Sequence, residues 1–287
     1  YRDGFLVAGL SPKSIIFLDA LSEYYIQQSE YVLANEMYKK ILEIEPYNPT
    51  ALLASYKILQ SQNLVDQEKK AFLRIFNSPR VSPEQKREVL FEIFSQTKKI
   101  EMYKDILPQA LENSILIHPS ETMFYILLGD YQLLHNEHEK ALNNYVKATM
   151  YGTKEKILYE KILNISLVNN KLDDVIFYAQ KAIEYFPFGP IFYYYKGVAL
   201  LYKKEYEKVK NSITKGLNYV IDDPQLESEM YAILGDVYHS LENHVKSDES
   251  YEIALKNNPD YIIVLNNYSY YLSLRGDRLE DAEKMSK

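Results

Sequence analysis

The sequence predicts an all-α protein made of helix pairs stacked one on the next. Three observations carry that prediction. The first is the stretch 228–261, where Tyr231, Leu234-Gly235 and Tyr238 are followed by Ser247, Tyr251, Ala254 and Pro259. Aromatic and small residues at these helical intervals, closed by a proline, describe one helix–turn–helix unit of about 34 residues. The second is recurrence. Small residues at the matching position of the second helix, Ala148, Ala182, Gly216 and Ala254, are spaced 34, 34 and 38 residues apart. Gly129, Gly197 and Gly235 on the first helices, and Pro119, Pro187 and Pro259 between units, keep the same frame, including its four-residue excess. The third is composition. With 11 Pro and 9 Gly in 287 residues, the chain is neither linker-rich nor rich in β-turns.

Laid along the chain, this frame gives one array over 1–287. Residues 1–14 read as the end of a preceding helix and a turn. Tyr1, Gly4 and Phe5 fall in register with Ile213, Gly216 and Leu217, and Ser11-Pro12 supplies an N-cap and a first-turn proline. The units that follow are 15–48, 49–82, 83–121, 122–155, 156–189, 190–227, 228–261 and an incomplete 262–287. Unit 15–48 is regular, with Leu18, Leu21, Tyr25, Ala34, Tyr38 and Ile41. Unit 49–82 is degraded: Tyr56 stands where a small residue belongs, so two helices must separate there or the ring must point outward. Unit 83–121 is the least typical. It predicts two helices, marked by Leu90, Phe91 and Phe94 and by Leu107, Leu111, Ser114 and Ile115, with Pro108 shortening or kinking the second. The four extra residues fall at 222–225, where Asp222-Asp223-Pro224 signals a loop or a new helix start. Unit 262–287 needs a one-residue insertion near Gly276 to bring Ala282 into frame. Both ends of the chain fall inside a helix, which predicts a segment of a longer repeat protein.

The physical logic is mutual. One helix pair cannot bury its apolar face alone, so successive pairs stack and share a core. Glycine or alanine at the contact positions lets helices approach, and the large aromatics and leucines fill the gaps.

Composition narrows the function. The net charge of −7 is ill-suited to neutralising phosphates along a nucleic acid, and the lysine pairs are scattered among acids. With no cysteine, thiol nucleophiles, disulfides and zinc–thiolate sites are excluded. No apolar run approaches the roughly 18 residues of a membrane span. His135 and His138 fall at a turn without metalloprotease spacing, no serine sits in a nucleophile-elbow frame and no Gly-rich phosphate loop occurs. The sequence therefore predicts no enzyme, no cofactor and no metal site.

These residues together resemble the tetratricopeptide repeat (TPR) proteins, most clearly over 15–48 and 122–261. The resemblance implies a right-handed α–α superhelix whose first helices line a groove for a peptide or a partner helix. The groove positions of that family map here to Met123, Ile126 and Asp130, then Glu160 and Asn164, then Tyr194, Val198 and Tyr202, and finally Asp236 and His239. The Lys, Asn and Arg clamp by which chaperone-binding members hold a C-terminal carboxylate has no counterpart. Its positions carry Ile126-Leu127, Tyr194-Tyr195 and Ala232-Ile233. The tyrosine run Phe192-Tyr193-Tyr194-Tyr195 spreads its rings around the helix, with Tyr193 inward and Tyr194 toward the groove. The expected role is a non-enzymatic protein-binding scaffold. The alternatives are a structural spacer or self-assembly module, and a regulatory region attached to a catalytic domain elsewhere. The repeat style and the lack of cysteine lean toward the exported or periplasmic side of a bacterial envelope, with the cytoplasm as the alternative.

Overall fold

The computed structural model describes residues 14–287. Among the described residues there are seventeen α-helices and no strand. The chain divides into two compact units, Tyr1–Gly152 and Thr153–Lys287. The expectations placed on Tyr1, Gly4, Phe5 and Ser11-Pro12 lie outside the described residues.

The first unit holds α1 (Ile15–Gln27), α2 (Tyr31–Ile44), α3 (Pro49–Ser61), α4 (Val65–Phe76), α5 (Pro83–Phe94), α6 (Thr97–Tyr103), α7 (Leu107–Ile117), α8 (Thr122–Leu134) and α9 (His138–Met150). The second holds α10 (Lys156–Val168), α11 (Leu172–Tyr185), α12 (Pro190–Tyr202), α13 (Tyr206–Leu217), α14 (Pro224–Ser240), α15 (His244–Asn257), α16 (Ile262–Arg275) and α17 (Leu279–Met285).

Helix starts follow from side-chain caps. Ser14 accepts from the Phe17 N–H at 3.2 Å, and Asn48 from the Ala51 N–H at 3.1 Å with Pro49 opening α3. Ser82 and Gln85 form a reciprocal capping box ahead of Pro83. Each cap satisfies an N–H that the helix itself leaves unpaired, and the prolines sit where no N–H is needed.

The turns inside the pairs share one geometry. Ser29, Asn63, Asn136, Asn170, Lys204, Glu242 and Gly276 adopt the left-handed conformation. In each case the next N–H donates to the carbonyl five residues back: Glu30 to Tyr25 at 2.8 Å, Glu137 to Gln132 at 2.8 Å, Asn243 to Tyr238 at 2.8 Å. This bond is the Schellman closure, which satisfies carbonyls at the end of the first helix.

In the first unit the core runs through Phe17, Leu18, Tyr38, Ile41, Leu52, Phe72, Phe76, Leu90, Ile93, Leu107 and Leu111. Two expectations are corrected here, on the number of helices and on Phe91, and one alternative is decided, at Tyr56. The region from Pro83 to His118 carries three helices, α5, α6 and α7, rather than two. Pro108 lies at the first turn of α7, where it is tolerated. An unbroken helix through 97–117 would instead place it in the interior, where its ring clashes with the preceding turn. Phe91, expected on the apolar face of α5, is exposed, and Leu90 and Ile93 turn inward. Tyr56 neither points outward nor lacks a partner: it is buried, and its hydroxyl meets that of Tyr103 on α6.

In the second unit the first helices of successive pairs, α10, α12, α14 and α16, touch in sequence, and α11, α13, α15 and α17 pack behind them. Of residues 222–225, Asp222 and Asp223 stay outside the helix, and Pro224 and Gln225 open it. Asp223 caps the new start through the Leu226 N–H at 3.0 Å, and α14 runs for 17 residues against 13 in α10 and α12. The insertion therefore adds one helical turn at the start of α14.

One motif occurs in both units. Gly129 and Gly235 let a tyrosine ring of the following helix lie against the helix backbone: a Cβ there would stand 2.5 Å from Tyr145 and 2.4 Å from Tyr251. Each ring then sends its hydroxyl to the aspartate beside the glycine. Tyr145 donates to Asp130 at 2.5 Å and Tyr251 to Asp236 at 2.6 Å.

Candidate functional site

The first-helix face of the second unit carries most of the side chains expected at a binding surface. Helix α12 shows how it arises. Consecutive residues turn about 100° around the axis, so the run Phe192–Tyr195 cannot share one environment. Phe192 and Tyr193 are buried in the core, and Tyr194 and Tyr195 are half-buried. Val198 is half-buried one turn on from Tyr194, and Tyr202 beyond it is 69% exposed.

The added turn of α14 carries Gln225, one helical turn before Glu229. The Glu229 carboxylate accepts from the Gln225 amide at 2.7 Å, and its charge acts on the Tyr194 hydroxyl. Burial, and then the Glu229 charge, raise the Tyr194 pKa above the ordinary phenol value. Tyr195 is raised by burial, then by Glu160 and Glu229, so its ring lies within the field of both acids. Tyr261 is raised by burial, then by Glu229 and Asp236. Glu160 has Lys156 at 3.7 Å across one helical turn. Glu229, by contrast, is paired with no cation among the described residues.

Asp236 and His239 lie further along α14. Asp236 accepts from the Tyr251 hydroxyl and from the Asn267 amide at 3.0 Å. Burial raises its pKa, and these two donors hold it back. The His239 ring stacks on Tyr271 with centroids 3.5 Å apart, and burial, then His244 and Arg275, lower its pKa. Asn164 on α10 is exposed. Thus Tyr194, Glu160, Asp236 and His239 belong to one connected set of acids and rings, with Val198, Tyr202 and Asn164 beside it.

Met123, Ile126 and Asp130 lie on α8 in the first unit. Met123 packs against the core, Ile126 is half-buried, and Asp130 receives the Tyr145 hydroxyl. Their aspartate is thereby engaged in joining α8 to α9.

The expected set omitted Tyr195, Tyr261 and Asn267. Tyr261 stands just before α16 and Tyr195 one residue past a groove position, so only the packing of neighbouring helices reveals them. Among the described residues, no three His, Asp or Glu side chains converge as metal ligands, and no helix is long and apolar enough to cross a membrane.

No family model and no curated protein matches this sequence. Solved structures do match. One is YrrB, described as a TPR protein with an unusual peptide-binding site. It is 13% identical, with a TM-score of 0.50 over 80% of this chain and 97% of that one. Another is the C-terminal part of a TPR repeat-containing protein from Cytophaga hutchinsonii. It is 14% identical, with a TM-score of 0.54 over 86% of this chain and 98% of that one. With helices only among the described residues and these likenesses, the chain has the tetratricopeptide-repeat fold, an all-α solenoid of stacked helix pairs.

Proposed function

We propose that this chain is a non-enzymatic protein-interaction scaffold, and that the first-helix face of its second unit holds an extended, basic segment of a partner protein. The observation that supports this is Glu229. It is a carboxylate without a cation, set beside the half-buried rings of Tyr194, Tyr195 and Tyr261. A lysine or arginine side chain can meet the acid and lie over the rings, combining an ion pair with a cation–π contact. Tyrosine supplies large contact area with few rotatable bonds, which limits the entropy lost on binding. The likeness of this chain to YrrB, described as a TPR protein with an unusual peptide-binding site, is consistent with a groove-bound ligand. Met123, Ile126 and Asp130 extend the reading to the first unit as a second contact region.

The test is fluorescence anisotropy on an array of labelled nine-residue peptides differing in charge. Basic peptides should bind, and Tyr194→Ala or Glu229→Gln should weaken them by roughly tenfold, as loss of one charged hydrogen bond implies. Binding that ignores peptide charge, or that survives both substitutions, would overturn this placement. The missing clamp adds a second expectation: amidating a peptide's C-terminus leaves its affinity unchanged.

A further inference from the structure

Helix α12 has a second face with a distinct lining. Lys196 lies two residues beyond Tyr194 and so points to roughly the opposite side of the helix, at 3.6 residues per turn. There, α11, α12 and α13 enclose a cleft of about 570 Å³, lined by Asp173 and Gln180, by Lys196 and Lys203, and by Lys208 and Lys215. Four lysine side chains line it, Lys196 half-buried and Lys203, Lys208 and Lys215 exposed, against the carboxylates of Asp173 and Glu205. Lys203 pairs with Asp173, and Lys208 pairs with Glu205 at the cleft's edge. That leaves Lys196 and Lys215. Lys196 donates to the neutral side-chain carbonyl of Gln180 at 2.7 Å. Lys215 makes no ion pair among the described residues. The cleft therefore keeps two positive charges.

Lys196 is only partly open to solvent and lies in the field of its own kind. Burial, then Lys215 and Lys208, lower its pKa. Bringing like charges together inside a partly desolvated cleft is unfavourable unless something anionic occupies it. Ion pairs with side chains could have relieved this, as they do for Lys203 and Lys208, yet no acid reaches Lys196 or Lys215.

We propose that this cleft is a phosphate-binding site, taking a phosphate group carried either by a small molecule or by a phosphorylated side chain. The charge count selects phosphate. A phosphomonoester brings close to two negative charges and three equivalent acceptor oxygens at neutral pH, which matches two uncompensated ammonium groups, whereas one carboxylate neutralises only one. Lysine serves as a point charge for such an anion and needs no bidentate geometry. The open amide of Asn211 on the same wall offers a further donor. The site does not depend on the peptide-binding face, since it uses the other side of α12.

Isothermal titration of the full chain at low ionic strength tests it, with inorganic phosphate, acetate, a phosphoserine peptide and its unphosphorylated twin as probes. Phosphate should bind one saturable site and acetate more weakly. Lys196→Gln and Lys215→Gln should each reduce phosphate affinity by roughly tenfold, the effect of losing one charge-assisted hydrogen bond. Lys196→Arg should retain most of it, and Lys204→Gln, on the exposed turn outside the cleft, should match the wild type. A phosphopeptide that binds better than its twin identifies a modified protein as the source. Equal binding of the two peptides, with phosphate still saturable, identifies a small phosphorylated molecule. No saturable phosphate binding, acetate as tight as phosphate, or two glutamine variants that bind like the wild type would each overturn the proposal.

Discussion

The hydroxyl of Tyr56 on α3 lies 3.1 Å from that of Tyr103 on α6, inside the core of the first unit. The direction of the chain of hydrogen bonds is fixed by its ends. Tyr103 spends its proton on Glu68, a buried carboxylate 2.6 Å away, so Tyr56 must donate to Tyr103 and Gln60 can donate to Tyr56 at 3.4 Å. Burial is the first cause that raises both phenols, with Tyr56 pushed up to about 12.

The two tyrosines should therefore differ in importance. Tyr103→Phe removes the one side-chain donor that Glu68 has among the described residues and leaves a buried acceptor without it, which costs about 1–3 kcal/mol. Tyr56→Phe removes one neutral bond and leaves Glu68 satisfied, costing about 0.5–1.5 kcal/mol. Urea midpoints of the two variants give the order directly. A larger loss for Tyr56→Phe would mean that the proton assignment is reversed.

The close helix contacts make a second comparison. At Gly235 an added methyl meets the side of the Tyr251 ring, whose hydroxyl is tied to Asp236, so the ring cannot withdraw without losing that bond. At Gly197 the methyl meets Cδ1 and Cγ1 of Ile213, an aliphatic side chain that no hydrogen bond holds in place. Gly235→Ala should cost about 1–3 kcal/mol, as overpacking does, and Gly197→Ala less. Thermal melts of both variants check the ranking.

Ala254 on α15 is fully buried, and its carbonyl receives the Ser228 hydroxyl from α14 at 2.8 Å. Ala254→Leu should overpack this joint and cost about 1–3 kcal/mol. A urea titration that finds no loss would show that the helices can part there freely.

Lys86 gives a pH dependence of known sign. It is wholly buried, its ammonium donates to the Phe76 carbonyl at 3.2 Å, and burial lowers its pKa from 10.5 to about 8. Between these two values the unfolded chain binds the proton and the fold does not. Stability from this residue thus rises as pH climbs from 8 to 10.5, and is lost as pH falls back through 8. Lys86→Met should be the more stable protein at pH 7 by about 1–3 kcal/mol, because no buried charge remains to be desolvated. Its advantage should shrink as pH approaches 9.5. Guanidinium unfolding at a series of pH values, read as the difference between the two proteins, cancels the tyrosines that titrate above this range. An advantage independent of pH would show that Lys86 keeps its charge when buried.

Much of the fold was legible in the sequence because close packing writes itself as spacing. Helices can approach only where a side chain is small, so Gly129, Gly235, Ala182 and Ala254 recur at helical and pair intervals and announce an all-helical stack. What was not legible is tertiary. Tyr56 breaks the small-residue pattern, yet it is accommodated by a tyrosine 47 residues away on a helix that spacing did not announce. The break between α6 and α7 lies just before Pro108, which the sequence marks only as shortening or kinking the second helix, and Tyr103 is buried in the core ahead of it. The candidate face was legible in part. Tyr194, Glu160, Asp236 and His239 are positions that the family resemblance implies, but Tyr261 and Asn267 come from the neighbouring pair. The lysines of the cleft were hidden for the same reason: Lys196, Lys208 and Lys215 are ordinary surface residues until α12 and α13 set them against one cleft.

The uniform turn has a consequence for how such a chain can change. Seven connections close with the same hydrogen bond around a single left-handed residue, and six of those residues are not glycine. The closure is thus indifferent to which side chain occupies it, and asks only for two flanking helices that end and begin in the same way. A chain joined by interchangeable connectors can gain or lose whole helix pairs by duplication or deletion while leaving every remaining junction intact. Its length is then the property most readily altered in the course of descent, and its individual surfaces are free to diverge toward different ligands.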